Sequence, residues 1–153
     1  WVKKPMPSLS PLSGRAKPTM RSVVPSASTS SAAPVTGVAM MGLSKSDEPE
    51  ELERFIDRNP ETSLVLTRND IVIGSVLGGF DGRRGYLYHL AVRKEDQGLG
   101  YGTMLLKEVE RRFHALGAMR LHLMIYTDNE AAEFYKKRNW WVRDELVLMS
   151  RDL

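Results

Sequence analysis

Apolar and polar positions alternate in short runs through the second half of the chain. Five runs rich in β-branched and aromatic residues predict strands: SLVLT (63–67), IVIGSVLGG (71–79), YLYHLAV (86–92), LHLMIY (121–126) and ELVLMS (145–150). The Asn69-Asp70 pair between the first two runs predicts a hairpin turn, and Asp81-Gly82 predicts the next turn. The first three predicted strands are therefore expected to be antiparallel.

Three other segments have the spacing of helices: EPEELERFIDRNP (48–60), GTMLLKEVERRFHALG (102–117) and NEAAEFYKKRN (129–139). Ser44 or Ser46 is expected to cap the first of them, which has acidic residues in its first turn and stops at Pro60. In the second, Leu105, Val109, Phe113 and Leu116 are expected to share one face, and Gly117 ends the helix.

The strand 86–92, the loop 95–102, the helix 102–116 and the strand 121–126 predict a β-α-β unit with parallel strands. The loop, in EDQGLGYGTMLL (95–106), carries three glycines immediately before the helix. Unpaired amides and the positive end of the helix dipole lie at the start of a helix, and glycines lack the Cβ atoms that would block a ligand there. The loop therefore predicts a binding site for an anion, most plausibly a phosphate.

The spacing of the loop differs from that of two common phosphate-binding motifs. A Walker loop needs a lysine that is absent here, and Thr103 stands where a dinucleotide fingerprint needs its third glycine. The pattern that fits is Q-x-x-G-x-G, from Gln97 to Gly102, after a strand ending in Leu90-Ala91-Val92. At this point the chain resembles the GNAT superfamily, the acyl-CoA-dependent N-acetyltransferases.

A second motif of that superfamily has the form N-x-x-A-x-x-F/L-Y-x-x-x-G-F, and residues 129–141 read NEAAEFYKKRNWW. Asn139 replaces the usual glycine, a mild change because asparagine tolerates the left-handed conformation. The resemblance covers residues 43–153. It implies a GNAT-like α/β fold (an α+β mixed sheet), with antiparallel hairpins leading into a β-α-β cofactor unit.

The resemblance also implies roles for individual residues. The main chain of Leu90, Ala91 and Val92 would pair with the pantetheine arm of acetyl-CoA, and the Val92 N–H would stabilise the oxyanion. Asn129 would contact the cofactor arm, and Tyr135, beside the thioester, would protonate the departing thiolate. The cofactor loop would comprise Gln97, Gly98, Leu99, Gly100, Tyr101, Gly102 and Thr103, with the amides from Leu99 to Thr103 on the pyrophosphate.

The general base is not fixed by the sequence. Tyr86 lies at a position used by bases in some relatives, and Met124 occupies a place where an acid or histidine is often found. Alternation puts His122 on the same strand face as Met124, so His122 is the second candidate, acting through a water. Each of these residues could instead have only a packing role. No metal ion is expected.

Residues 1–42 form a Ser-, Pro- and Ala-rich segment that predicts disorder, and residues 43–153 are expected to form the acetyltransferase domain. This segment stands where the superfamily has its first strand and helix, which are therefore expected to be missing or replaced, with MRSVV (20–24) at best a poor strand. An organellar transit peptide and a sequence artefact both remain open.

Composition and charge argue against a nucleic-acid partner, a membrane span and thiolate catalysis. Residues 1–46 carry six of the 22 basic residues and no acidic one, so the remainder, with 16 basic and 19 acidic residues, has a net charge of −3. A nucleic-acid partner is therefore not expected, and no apolar run is long enough to predict a membrane span. The chain has no cysteine, which excludes thiolate catalysis.

These observations predict a cytoplasmic N-acetyltransferase that moves an acetyl group from acetyl-CoA to a primary amine by direct attack. The acceptor, a small molecule or a protein N-terminus, is left open, as is a homodimer. The alternative is a non-catalytic acyl-CoA-binding module with an incomplete acceptor site.

Overall fold

The computed structural model describes residues 16–23 and 45–152, which fall into two compact units, one ending at His122 and one beginning at Leu123. The described strands form one sheet in chain order: β1 (Thr19–Ser22), β2 (Leu64–Arg68), β3 (Ile71–Phe80), β4 (Gly85–Val92) and β5 (Leu121–Leu123). The first three pairings are antiparallel. The helices of the described ranges are α1 (Pro49–Arg58), α2 (Tyr101–Ala115) and α3 (Ala131–Lys136).

The predicted hairpin between β2 and β3 is confirmed. Asn69 has a φ of 49° and Asp70 a φ of 60°, so both central residues are left-handed, as the tight turn that matches strand twist requires. The next turn also forms as predicted, because the amides of Arg83 and Arg84 donate to Asp81 Oδ1 at 2.7 and 2.5 Å. These bonds, that of Arg84 first, hold the pKa of Asp81 below its usual value.

The sheet is covered on both faces. On one face, Leu52 and Ile56 of α1 are buried in a cluster with Val65 and Leu77 of the sheet. Since neighbouring residues of a strand point to opposite faces, Leu66 and Val76 belong to the other face. That face packs against α2, which buries Leu105, Leu106, Val109 and Phe113.

The approach of α2 to the sheet depends on a small residue in β3. A Cβ placed on Gly78 would lie 2.7 Å from the Phe113 ring, closer than packed carbons allow. The predicted apolar face of α2 is confirmed except at Leu116, which lies at the C-cap and is 36% exposed.

β1 lies where the first strand is expected to be missing or replaced, and it overlaps MRSVV (20–24), the poor strand that the sequence offers there. The expectation of disorder does not hold for the described residues 16–23. Residues 19–22 pair with β2 from Thr19↔Thr67 to Ser22↔Leu64, and Val23, directly after them, is buried in the α1 cluster. Four residues are too few to show a periodicity, so the sequence pattern cannot identify this strand. It forms because its main chain pairs with β2. The predicted replacement of the first helix lies outside the described residues.

Three smaller predictions also differ from the structure. The N-cap of α1 is Glu48, preceded by a 3₁₀ turn over Lys45–Asp47, so the expected serine cap is wrong. The strand predicted over 121–126 stops at Leu123. Residues 145–150 form no strand: Val147 and Met149 are 86% and 88% exposed, and the described part of the second unit offers no neighbouring strand to pair with beyond the end of β5.

A charged cluster on α2 also holds β1. Arg112 Nη1 donates to Ser22 Oγ at 2.6 Å and to the Glu61 carbonyl at 2.9 Å, while its Nε donates to Glu108 Oε1 at 2.9 Å. Glu108 also accepts two hydrogen bonds from Arg111. The hydrogen bonds from Arg111 and then Arg112 lower the pKa of Glu108 to about 2.

Replacing Glu108 with glutamine is expected to lower the free energy of unfolding at neutral pH by about 1 kcal/mol, the range of partly exposed ion-pair networks. A folded pKa below the unfolded one stabilises the protein above the ordinary value of 4.5, and this stability is lost as pH falls toward about 2. Urea unfolding between pH 7 and pH 2 would measure the difference in the free energy of unfolding between the wild type and the variant. A difference that stays constant to the lowest pH would contradict this assignment, and Glu53→Gln serves as an exposed control outside the cluster.

Candidate active site

β4 has a strand partner on one edge for its whole length but on the other edge only at its beginning. It pairs with β3 from Phe80↔Gly85 to Gly74↔Val92. On the opposite edge, the Gly85 amide donates to the Arg120 carbonyl at 3.0 Å, immediately before the three-residue β5. A strand of that length cannot reach the end of β4, so Leu90–Val92 extend beyond it.

The direction of the amides at this end of β4 follows from the next residue. The Arg93 amide donates to the Ile73 carbonyl of β3 at 2.9 Å. Because successive amides of an extended chain point to opposite sides, the N–H groups of Val92 and Leu90 point away from β3. The Val92 carbonyl points the same way and accepts a hydrogen bond from Gln97 Nε2 at 3.0 Å. This edge can therefore pair with an extended ligand through main-chain donors.

A β-bulge lies in the middle of β4. The register passes from Gly78↔Leu87 to Leu77↔His89, so Tyr88 is the extra residue. Bulges bend a strand and increase its twist, and they often occur next to active sites. Tyr88 contacts the Phe55 ring edge-on at 5.3 Å and is 48% exposed. Burial of the rest of the ring and the nearby Tyr86 raise the pKa of Tyr88.

The glycine loop adopts conformations that favour glycine at two of its three glycines. Gly98 has a φ of 74° and Gly100 a φ of 85°, both in the left-handed region that strains other residues. A Cβ on either would meet no atom within 4 Å. The space in front of the loop is therefore open to a ligand, and α2 starts at Tyr101, one residue before the predicted start.

The start of α2 provides the electrostatics expected for an anion site. The first amide bonded within the helix is that of Met104, which donates to the Gly100 carbonyl at 3.0 Å. The positive end of the helix dipole lies at this turn, and α2, 15 residues long, has no acidic residue in its first turn and no side-chain cap. Positive potential is therefore not offset there by the helix's own side chains, which fits a diphosphate.

The structure brings the two candidate bases together. The rings of Tyr86 and His122 lie 5.3 Å apart between centroids, and Tyr86 is 6.5 Å from Tyr88. Tyr86 and His122 are both partly buried. Met124, which cannot accept a proton, is 57% exposed. The described geometry thus places an ionisable aromatic pair on β4 and β5 close to the bulge.

The sequence did not predict two long-range side-chain contacts, one a histidine–carboxylate hydrogen bond and the other an ion pair. His89 Nε2 lies 2.9 Å from Asp47 Oδ1, which joins β4 to the turn before α1. Arg68, at the end of β2, pairs with the buried Asp96 in the 3₁₀ turn before the glycine loop. Both pairs join residues far apart in sequence, and no local pattern marks them.

The second unit contains the other predicted site residues. Asn129 Oδ1 accepts a hydrogen bond from the Ala131 amide at 2.9 Å, so this oxygen is used at the start of α3. The Tyr135 ring contacts Phe134 at 5.0 Å and Trp140 at 5.6 Å. Burial raises the pKa of Tyr135 to about 12. Asn139 has a φ of 64°, which confirms its left-handed conformation.

The described fold is a sheet whose fourth strand leads through a glycine loop into the start of a 15-residue helix. Residues 35–140 match the acetyltransferase (GNAT) family, and the chain belongs to that family. The predicted superfamily and its mixed α/β fold are therefore confirmed.

Individual relatives agree with this assignment. An acetyltransferase of Yersinia pestis (strain Pestoides F) is 35% identical over 107 residues, which are 69% of this chain and 76% of that protein. Ard1 from Thermoplasma volcanium has a TM-score of 0.71 at 20% identity, over 82% of this chain and 84% of Ard1. Naa50 of Arabidopsis thaliana, solved with the bisubstrate analogue CoA-Ac-MVNAL, has a TM-score of 0.54 at 25% identity, covering 60% and 67% of the two chains.

Among the described residues, none of the helices combines the length and apolar character that crossing a bilayer would require.

Proposed function

We propose that this protein transfers an acetyl group from acetyl-CoA to a primary amine. The observation that carries the proposal is the continuity of two ligand-binding surfaces: the outward amides of Leu90 and Val92 lead directly into the open glycine loop at the start of α2. An extended amide chain linked to a diphosphate matches the two surfaces in the same order. Family membership supports acetyl transfer.

Binding would use the main chain more than side chains. The pantetheine arm would lie along Leu90–Val92, the end of β4 that extends beyond β5, and would accept hydrogen bonds from the outward amides of that segment. The amides from Leu99 to Thr103 would hold the diphosphate, helped by the positive end of α2. Asn129 would contact the cofactor arm through its amide nitrogen, because its side-chain oxygen already accepts a hydrogen bond from Ala131.

The chemistry needs a neutral amine, an oxyanion donor and a proton for sulfur. The amine nitrogen would attack the thioester carbon, and a main-chain N–H of β4 would stabilise the negative oxygen that forms. Collapse of the tetrahedral intermediate breaks the carbon–sulfur bond, and Tyr135 would protonate the thiolate. The nitrogen would release its extra proton to solvent as the amide forms, and solvent would return a proton to Tyr135. With a pKa of about 12, its phenol carries that proton at physiological pH.

Removal of the proton from the incoming ammonium is assigned to the aromatic pair on β4 and β5. The rings of Tyr86 and His122 are neighbours at 5.3 Å between centroids, and either would take the proton through a water between it and the amine. The acceptor is a small amine or a protein N-terminus.

A second candidate is a non-catalytic acyl-CoA-binding module. Met124 favours it, because this residue stands where an acid or histidine is often found in the superfamily. Calorimetry with acetyl-CoA, followed by an assay of CoA release with a panel of amines and peptides, separates the two functions. Both bind acetyl-CoA, and only the transferase releases CoA in step with acetylated product. Absence of acetyl-CoA binding would contradict both.

A further inference from the structure

We propose that the ion pair between Arg68 and Asp96 positions the glycine loop for the diphosphate of acetyl-CoA. The inference rests on the proposed function, because it concerns how tightly that loop holds its ligand. Arg68 and Asp96 are positioning residues: they act through the loop main chain.

The pair is buried and joins two separate parts of the fold. Arg68 Nη2 lies 2.7 Å from Asp96 Oδ1, and the Asp96 side chain is 0% exposed while that of Arg68 is 16% exposed. Arg68 is the last residue of β2, and Asp96 is the last residue of the 3₁₀ turn Lys94–Asp96. β3 lies between β2 and β4 in the sheet, so the arginine reaches past a strand to hold this turn.

The ion pair holds the residue that leads into the glycine loop. Asp96 immediately precedes the loop from Gln97 to Gly100, and α2 follows the loop at Tyr101. The hydrogen bond to Asp96 raises the pKa of Arg68, burial lowers it, and the nearby Tyr101 raises it further. The Arg68 guanidinium therefore fixes the beginning of the loop through Asp96.

Other hydrogen bonds lie at the two ends of the loop. The Gln97 side chain bonds to the Val92 carbonyl at its beginning, and the Met104 amide donates to the Gly100 carbonyl at its end. Gly98 and Gly100 are exposed and left-handed, and glycine adds backbone freedom. Holding Asp96 in place limits the freedom of the residues that follow it, whose amides must all face the ligand.

Charge gives a second reason for the pair. An uncompensated carboxylate just before the loop would oppose the binding of a diphosphate, and the guanidinium of Arg68 neutralises it. The neighbouring pair, Arg93 with Glu95, differs because its side chains are 39% and 58% exposed and are screened by water. Removing Arg68 would therefore both loosen the loop and leave a negative charge beneath it.

The test compares ligands with and without the diphosphate. Calorimetry would measure the binding of CoA and of pantetheine to the full chain. Where pantetheine binds too weakly for direct titration, its affinity would be measured by competition with CoA. Arg68→Gln is expected to weaken CoA about 10-fold, the effect of losing one charge-assisted hydrogen bond, and to leave pantetheine unchanged. Amide hydrogen exchange of residues 97–103 in the unliganded variant is expected to be faster, with β3 unchanged.

Arg54→Gln is the matched control, because Arg54 forms an exposed ion pair with Glu51 on α1. It should leave both affinities at the wild-type value. A folded Arg68→Gln protein with the wild-type ratio of CoA to pantetheine affinity, or with unchanged exchange in the loop, would overturn the proposal. A wild type that lacks any preference for CoA over pantetheine would instead contradict the proposed function.

A double variant, Arg68→Met/Asp96→Leu, keeps the test decisive if the single variant does not fold. Well-packed apolar residues often replace a buried ion pair without loss of stability. Positioning predicts that this double variant recovers most of the preference for CoA. A folded double variant with no preference would show that the arginine charge acts on the ligand directly, which would overturn the positioning role.

Discussion

Replacing Tyr135 with phenylalanine is expected to lower kcat about 10²–10⁴-fold, the usual contribution of a general acid. The phenylalanine ring keeps the contacts with Phe134 and Trp140, at 5.0 and 5.6 Å, and removes only the hydroxyl. Acetyl-CoA affinity and the melting temperature should change little, because the hydroxyl acts on the transition state. Steady-state kinetics with the best amine acceptor, together with calorimetry, would measure both effects.

Tyr126→Phe is the control, since Tyr126 lies in the same unit and is 74% exposed. The loss at Tyr135 should shrink when the acyl donor has a more acidic thiol. With a pKa of about 12, Tyr135 should cause no fall in kcat on the alkaline side below that pH. A Tyr135→Phe enzyme with full turnover would leave this residue with its packing role alone.

Replacing Gly100 with valine is expected to weaken acetyl-CoA binding roughly 10- to 100-fold, as if one or two charge-assisted hydrogen bonds were lost. Gly100 has a φ of 85°, where a β-branched residue is strained, and its side chain would project into the open space before the loop. Both effects disturb the amides that face the diphosphate. Calorimetry on the folded variant would measure the change.

Gly117 offers a matched control at the other end of the same helix. Its φ is also 85°, and a Cβ there would also meet no atom within 4 Å. Gly117→Val should therefore lose a similar amount of stability and keep its acetyl-CoA affinity. Equal affinities in the two variants would show that the loop at Gly100 is not the binding site.

The features that could be predicted from the sequence are those with a local cause. The Asn69-Asp70 turn, the glycine loop and the left-handed Asn139 each depend on the conformational preference of one or two residues, and each appears as expected. The apolar face of α2 could be predicted because Leu105, Val109 and Phe113 repeat with the helical period.

The features that could not be predicted depend on partners distant in sequence. β1 is four residues long and exists because β2 offers it an edge. The run at 145–150 has strand composition, but composition cannot say whether a neighbouring strand is present. Asp96 stands in a polar loop, where a carboxylate is normally solvated, and only the fold reveals that Arg68 reaches it.

The hydrogen bond between Gln97 and the Val92 carbonyl favours a small ligand over an added polypeptide strand at this edge of β4. An unpaired strand edge invites another polypeptide to add as a further strand, which can lead to aggregation. At Val92 an added strand would find the carbonyl already bonded to Gln97 at 3.0 Å, so its own amide would lose an acceptor. A ligand that needs only a donor at this position has no such loss. One side chain thus discourages strand addition and leaves the edge open to small molecules.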